Sequence, residues 1–198
     1  MNTKKSKRIG FDLDDVLLNF NEALLDHANK KYDKNVEKKD IKTFLFLEEN
    51  FGIPTVDAIS MLDNFFFHDD HLNVLPVEGA QEVVKKLSEY NELFIITAKP
   101  DALEEVTKKW LEKYFTGLFE NVHFANHFLS VDKRRKKSEI CLELQLDYFI
   151  DDSIDYATDV ASVGIPVLLL DTPWNQTDKL PENITRVYSW TDIEKKLL

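Results

Sequence analysis

The sequence predicts an α/β fold in which a doubly wound, mainly parallel sheet carries a small helical cap inserted after the first strand. Three observations support that reading. Short apolar runs ending abruptly in a polar residue recur along the chain; helical stripes alternate with them from residue 79 onward; and about 60 residues of helical and aromatic composition separate the first run from the others, too long for one crossover. Length agrees with one hydrophobic core plus an insertion, since the chain has 198 residues, 43% hydrophobic and 31% charged. The α/β core is expected over residues 1–16 and 76–198 and the helical cap over 17–75.

After a basic tail expected to fray, Arg8 to Asp12 reads as the first strand, because a buried parallel strand is a continuous apolar run that turns polar where it leaves the sheet. Leu93–Thr97, Tyr148–Asp151 and Ile165–Asp171 repeat the pattern. Ala80, Val83, Val84 and Leu87 fall at helical spacing, as do Leu103, Val106, Trp110 and Tyr114. A further helix starts near Ser138 with Ile140 and Leu144 on one side, and another follows Ser153, where Asp152 and Ser153 supply N-cap chemistry. The inserted segment holds Phe44–Leu47, a Gly52/Pro54 breaker and Phe65–Phe67, so it is expected to bury a small core of its own, with Phe44, Phe46 and Phe65 to Phe67 as packing residues.

Charge and cysteine usage exclude several function classes. With 25 Lys+Arg against 36 Asp+Glu, a net charge of −11 disfavours binding to a nucleic-acid polymer or an anionic membrane. The lone Cys141 can form neither an internal disulfide nor a Cys-rich zinc site, which fits a reducing compartment. The opening MNTKKSKR is not followed by an apolar segment, because Asp12, Asp14 and Asp15 interrupt it, and no run is long enough to span a bilayer, so the expected location is the cytoplasm. His68-Asp69-Asp70-His71 reads as a polar loop rather than a metal site, and His123 and His127 are read the same way.

In an open parallel sheet the ligand crevice lies outside the carboxyl ends of the strands, so Asp12, Thr97 and Asp151 should converge there. Asp14, Asp15 and Asp152 bring the same edge up to five carboxylates, which cannot all stay ionised together without a cation. Oxygen-only donors imply a hard divalent ion and suit Mg²⁺ better than Zn²⁺.

These residues resemble the motifs of the haloacid dehalogenase-like (HAD) hydrolase superfamily, whose core is Rossmann-like. GFDLDDV matches its first motif with Asp12, Asp14 and Val16; Thr97 in FIITAKP matches the second; Lys137 in KKSEIC matches the third, with Lys133 and Lys136 as neighbouring alternatives; Asp151 and Asp152 in FIDDS match the fourth. The resemblance implies that Asp12 is the nucleophile, forming an aspartyl-phosphate, and that Asp14 protonates the leaving oxygen and then activates water. It implies Mg²⁺ held by Asp12, the Asp14 backbone carbonyl and Asp151; phosphate binding by Thr97 and backbone N–H groups, with Ala98 beside it; and charge neutralisation by Lys137. Asp152 would orient a metal-bound water or cap the following helix.

The acid at position 14 favours phosphatase over dehalogenase chemistry. The gap between the first two motifs, with VLLNFN after the acids and PWN at Pro173–Asn175, resembles the 5′(3′)-deoxyribonucleotidase family, in which the Phe matching Phe20 packs on the nucleobase. Two departures stand out: Asp15 replaces the usual small residue, and Ala98-Lys99-Pro100 replaces Ser-Pro. The expected activity is Mg²⁺-dependent hydrolysis of a small phosphomonoester, foremost a nucleoside or deoxynucleoside monophosphate. The alternatives are a phosphatase for another small metabolite, a phosphoacceptor module that does not turn over, or a binding protein.

Overall fold

The computed structural model describes residues 6–67, 69–127 and 133–198, so the first five residues of the basic tail and His68 lie outside the described part. Its strands are β1 (Arg8–Phe11), β2 (Glu92–Thr97), β3 (Asn121–Phe124), β4 (Tyr148–Asp151), β5 (Val167–Leu170) and β6 (Ile184–Val187). They form one sheet in the order β3-β2-β1-β4-β5-β6, with every pairing parallel. The chain builds outward from β1 through β2 to β3, then returns to the other side of β1 with β4. That reversal opens a crevice at the carboxyl ends of β1 and β4, where open α/β sheets bind ligands.

Alternation of side chains along the strands makes two cores. Ile9, Phe11, Leu93, Ile95, Ile150, Leu168 and Leu170 face one side, and Phe94, Ile96, Phe149, Val167 and Leu169 face the other. Gly10 alternates with Ile9 and Phe11 and faces the other side of β1, where a Cβ would come within 2.5 Å of Leu146, 2.8 Å of Ile96 and 2.9 Å of Phe149. A larger residue at position 10 would have to displace these side chains, so glycine fits the packing on this face of β1.

Helices α5 (Ala80–Ser88), α6 (Glu104–Phe115), α7 (Lys137–Glu143) and α8 (Ile154–Ser162) alternate with the strands at the predicted stripes. Three elements were not read from sequence: β3, β6 and α9 (Trp190–Leu197). β3 and β6 are four-residue edge strands whose exposed polar positions break the apolar run that marks a central strand. In α9, Trp190, Ile193 and Leu197 form the buried stripe, and the Ser189 hydroxyl caps the helix by accepting from the Asp192 N–H.

The segment between β1 and α5 contains α1 (Phe20–Tyr32), α2 (Phe46–Phe51), α3 (Thr55–Phe67) and the short α4 (Asp69–Leu72). Its two stems are tied together: the Val77 N–H donates to Leu17 O at 2.8 Å, the Asn19 N–H donates to Leu75 O at 3.1 Å, and Leu18 bridges to Pro76. The expectation of a separate core needs correction. Leu24, Ile41, Phe46, Met61 and Phe65 belong to the same contiguous buried cluster as Ile9 and Phe11, a cluster that also includes Val74 and Trp110, where the Trp110 indole N–H of α6 donates to Val74 O at 2.8 Å. Phe44 and Phe67 are 56% and 68% exposed and are not packing residues, whereas Phe46 and Phe65 are. His71 is not in a polar loop either: it is fully buried in α4 against Phe20, Phe65 and Phe66, with neither ring nitrogen hydrogen-bonded. Among the described residues no helix is long and apolar enough to cross a membrane.

Candidate active site

The loop leaving β1 is built by its backbone. The Asp12 N–H continues the β1–β4 ladder by donating to Ile150 O at 2.8 Å, and the Leu17 and Leu18 N–H groups both return to Leu13 O at 2.9 Å. The turn needs a left-handed residue, and Asp15 takes that place with φ 57°. Aspartate tolerates the conformation, and its carboxylate receives the Asn21 N–H at 3.0 Å, tying down the start of α1. Burial is the main reason the Asp15 carboxyl is pushed up to about 8, against the opposing pull of the Asn21 N–H. From the far end of the chain, the Trp190 indole N–H donates to Val16 O at 3.1 Å and its ring stacks on Phe11.

Lys137, at the first turn of α7, is fully buried, and its ammonium donates to Asp12 Oδ1 at 2.6 Å and to Asp151 Oδ2 at 2.8 Å. It is the lysine of its run that reaches the acids; Lys133 instead faces Asp101 at 3.7 Å. The aromatic ring of Tyr156 lies 4.3 Å below the Lys137 ammonium. Burial alone would lower the Lys137 ammonium, but Asp12 and Asp151 outweigh it and hold it above its ordinary value.

Asp12, Asp151 and Asp152 each offer a carboxylate oxygen, and these atoms lie within 4.8 Å of one another. Burial raises all three carboxyls: Asp12 against the opposing pull of Lys137, Asp151 to about 6, and Asp152 well above the usual range with Asp15 and Asp151 adding to the effect. One ammonium cannot balance three buried carboxylates. The charge and the oxygen-only donor set therefore fit a hard cation.

Asp152 does not cap α8. The N-cap of α8 is Ser153, without a side-chain cap bond, and it is Asp151 Oδ1 that accepts from the Ser153 N–H, at 2.8 Å. The Asp152 carboxylate is instead held in the cluster by the Trp174 indole N–H at 2.6 Å, while Asn175 Nδ2 donates to Asp152 O and to Leu170 O at 2.7 Å each. Arg186 donates in turn to Asn175 Oδ1 at 2.6 Å. Sequence reasoning noticed the PWN stretch but gave Trp174 and Asn175 no role; a Trp and an Asn just beyond a buried strand was the available signal.

Thr97 closes β2 in full burial, with its hydroxyl accepting from the Lys99 N–H at 3.2 Å, and Ala98 is half-buried beside it. The loop is stitched to the one after β3 by the Ala125 N–H donating to Thr97 O and the His127 N–H donating to Ala98 O, at 2.8 and 3.0 Å. The Asp14 carboxylate pairs with Lys99, at 2.5 Å. Phe20 is 8% exposed, stacked on Phe66 at 5.2 Å and edged by Phe65 and His71, with the Lys99 ammonium 5.3 Å from its ring centre. The geometry thus gathers Asp12, Asp151, Asp152 and Lys137 into one cluster and puts Asp14, Lys99 and Phe20 in an adjoining one.

Comparison with known proteins agrees with this architecture. The family model described as 5′ nucleotidase, deoxy (pyrimidine), cytosolic type C protein matches residues 6–198. A protein of Halalkalibacterium halodurans named "Putative nucleotidase BH1399" is 28% identical over 197 residues, covering 98% of this chain and 94% of its own. Among solved structures, the HAD-like hydrolase family protein SP0104 from Streptococcus pneumoniae superposes with a TM-score of 0.70 at 13% identity, covering 98% of this chain and 99% of its own. YfnB of Bacillus subtilis, solved bound to magnesium, does so with a TM-score of 0.62 at 15% identity, covering 98% and 99%. The Rossmann-like α/β core is that of the HAD hydrolases, and with the family model matching nearly the whole chain, the protein belongs to the cytosolic type C 5′-nucleotidase family of phosphomonoester hydrolases.

Proposed function

We propose that this protein is a Mg²⁺-dependent nucleotidase that hydrolyses nucleoside or deoxynucleoside monophosphates through an aspartyl-phosphate on Asp12. The observation that carries the reading is the buried Lys137 ammonium bridging Asp12 and Asp151, with Asp152 completing a set of carboxylates close enough to share one ion. Asp12, Asp151 and Asp152, with the Asp14 backbone carbonyl, are the groups that would hold Mg²⁺, and Mg²⁺ would supply charge neutralisation between the anionic nucleophile and the phosphate. Lys137 Nζ fixes Asp12 Oδ1 and leaves the other oxygen free to attack phosphorus. As the P–O ester bond breaks, a proton on the Asp14 carboxyl passes to the leaving oxygen; the resulting carboxylate then takes a proton from the water that hydrolyses the intermediate.

Thr97 and the adjoining backbone N–H groups, with Ala98 in the same loop, would bind the phosphate oxygens. The helices of residues 17–75 would act as a cap over the leaving group, with Phe20, at the start of α1, as the base-packing residue. The test is phosphate release from a panel of nucleoside monophosphates and sugar phosphates, with Mg²⁺ and with EDTA. Activity on a nucleotide that needs Mg²⁺ and disappears in Asp12→Asn is expected; activity that survives both chelation and Asp12→Asn would overturn the mechanism.

A further inference from the structure

Lys99 is a departure from the family motif and the one buried lysine, besides Lys137, among the described residues. It is 2% exposed on the loop after β2, yet its ammonium reaches out of the core in two directions. One is the Asp14 carboxylate, Oδ1, at 2.5 Å. The other is the aromatic face of the insertion, where the ammonium lies 5.3 Å from the ring centre of Phe20 in α1 and 5.1 Å from that of Phe66 in α3. The imidazole of His71 packs against both rings, and burial together with the nearby Lys99 charge holds it neutral, with its value pushed down to about 3. The local positive charge therefore sits on Lys99, and a buried ammonium is stable there only because a carboxylate and two ring faces replace its water.

We infer that Lys99 is a positioning residue that aims the Asp14 carboxyl and couples that aim to the seating of the insertion. This rests on the reading above, in which Asp14 is the acid and base. With Oδ1 taken by Lys99, Asp14 Oδ2 is the oxygen that carries the proton to the leaving group and later receives one from water. Because Phe20 and Phe66 help to hold the ammonium, an insertion displaced from the core loosens Lys99 and, with it, Asp14. Asp14 reaches full effect only when the helices are down over the site.

A group that acts through the general acid matters in proportion to how badly the leaving group needs a proton. Two esters separate this from a general defect: deoxyuridine 5′-monophosphate, whose alkoxide leaves only with a proton, and p-nitrophenyl phosphate, whose phenolate leaves without one. In Lys99→Met, kcat/KM on the nucleotide, which runs through departure of the leaving group and excludes the shared hydrolysis of the aspartyl-phosphate, is expected to fall about 100-fold, within the range that general acid–base catalysis contributes, and kcat/KM on the aryl ester less than about 10-fold. Phe66→Leu, which leaves the Lys99–Asp14 pair in place, is expected to show the same selectivity in weaker form, while Lys99→Arg recovers part of the nucleotide rate. Equal losses of kcat/KM on both esters, an unchanged kcat/KM on the nucleotide, or a Phe66→Leu variant with the wild-type ratio of kcat/KM between the esters would overturn the inference and leave the nucleotidase reading standing. A wild-type protein that hydrolyses neither ester with Mg²⁺ would overturn both.

Discussion

Replacing Lys137 by Met removes the ammonium while keeping most of the stem that packs beneath the active site. Two charge-assisted bonds disappear, at 2.6 and 2.8 Å, and Asp12 and Asp151 are left buried without their cation. Breaking a buried ion pair by deleting one partner costs about 3–5 kcal/mol, which for a chain of this size lowers the unfolding midpoint by roughly 10 °C. The cost depends on pH, with a sign set by the carboxyls. Burial already raises Asp12 and Asp151, the latter to about 6 with Lys137 present, and removing the ammonium raises both further. Acid therefore neutralises the orphaned pair, and the deficit shrinks as pH falls. Urea unfolding in EDTA, at pH about 7.5 and about 5, should show a gap between wild type and Lys137→Met that is several-fold larger at the higher pH. An equal deficit at both values would mean that Lys137 contributes packing rather than charge, and the electrostatic argument for the cluster would fail.

In the metal-free wild type, the Asp151 carboxyl rises from 3.8 to about 6, so its folded form binds the proton more tightly than the unfolded chain; that contribution, about 3 kcal/mol, is present below roughly pH 4 and is lost as pH climbs through 6. Chemical denaturation in EDTA across this window should show the loss, and Asp151→Asn should reduce it, leaving the share of the other raised carboxyls, Asp12, Asp15 and Asp152. Trp174→Phe removes the indole N–H that holds Asp152, and titration calorimetry should find Mg²⁺ bound about 10-fold more weakly, as for other losses of a ligand's supporting bond; unchanged affinity would release Asp152 from any part in holding the ion. Gly10→Ala sets a methyl against the side chains of Leu146, Ile96 and Phe149 and should destabilise the protein by about 2–3 kcal/mol in urea melts, whereas a variant as stable as wild type would show that these side chains repack without cost.

The central strands were legible in the sequence because burial on both faces demands unbroken apolar runs, as in Tyr148–Asp151, whose limits match β4. The edge strands and α9 were not, since a four-residue strand half in water carries no such run. That blind spot hid a contributor to the candidate site, because Trp190 of α9 pins the loop after β1 at Val16 from 174 residues away. The acids were equally legible: each ends an apolar run, and parallel strands must release their carboxyl ends at one edge.

Composition and pattern by themselves determined the fold class, the edge at which chemistry collects and the need for a cation there, because these follow from periodicity and charge along the chain. Tertiary structure alone decided how the charges are paired. Lys137 rather than Lys133 meets Asp12 and Asp151; Trp174 turns Asp152 into the cluster instead of leaving it to α8; and Lys99 joins Asp14 to the rings of Phe20 and Phe66. Each pairing links residues from separate elements, and the strength of such contacts depends on distances of a few ångströms in a water-poor interior, a quantity that linear spacing does not encode.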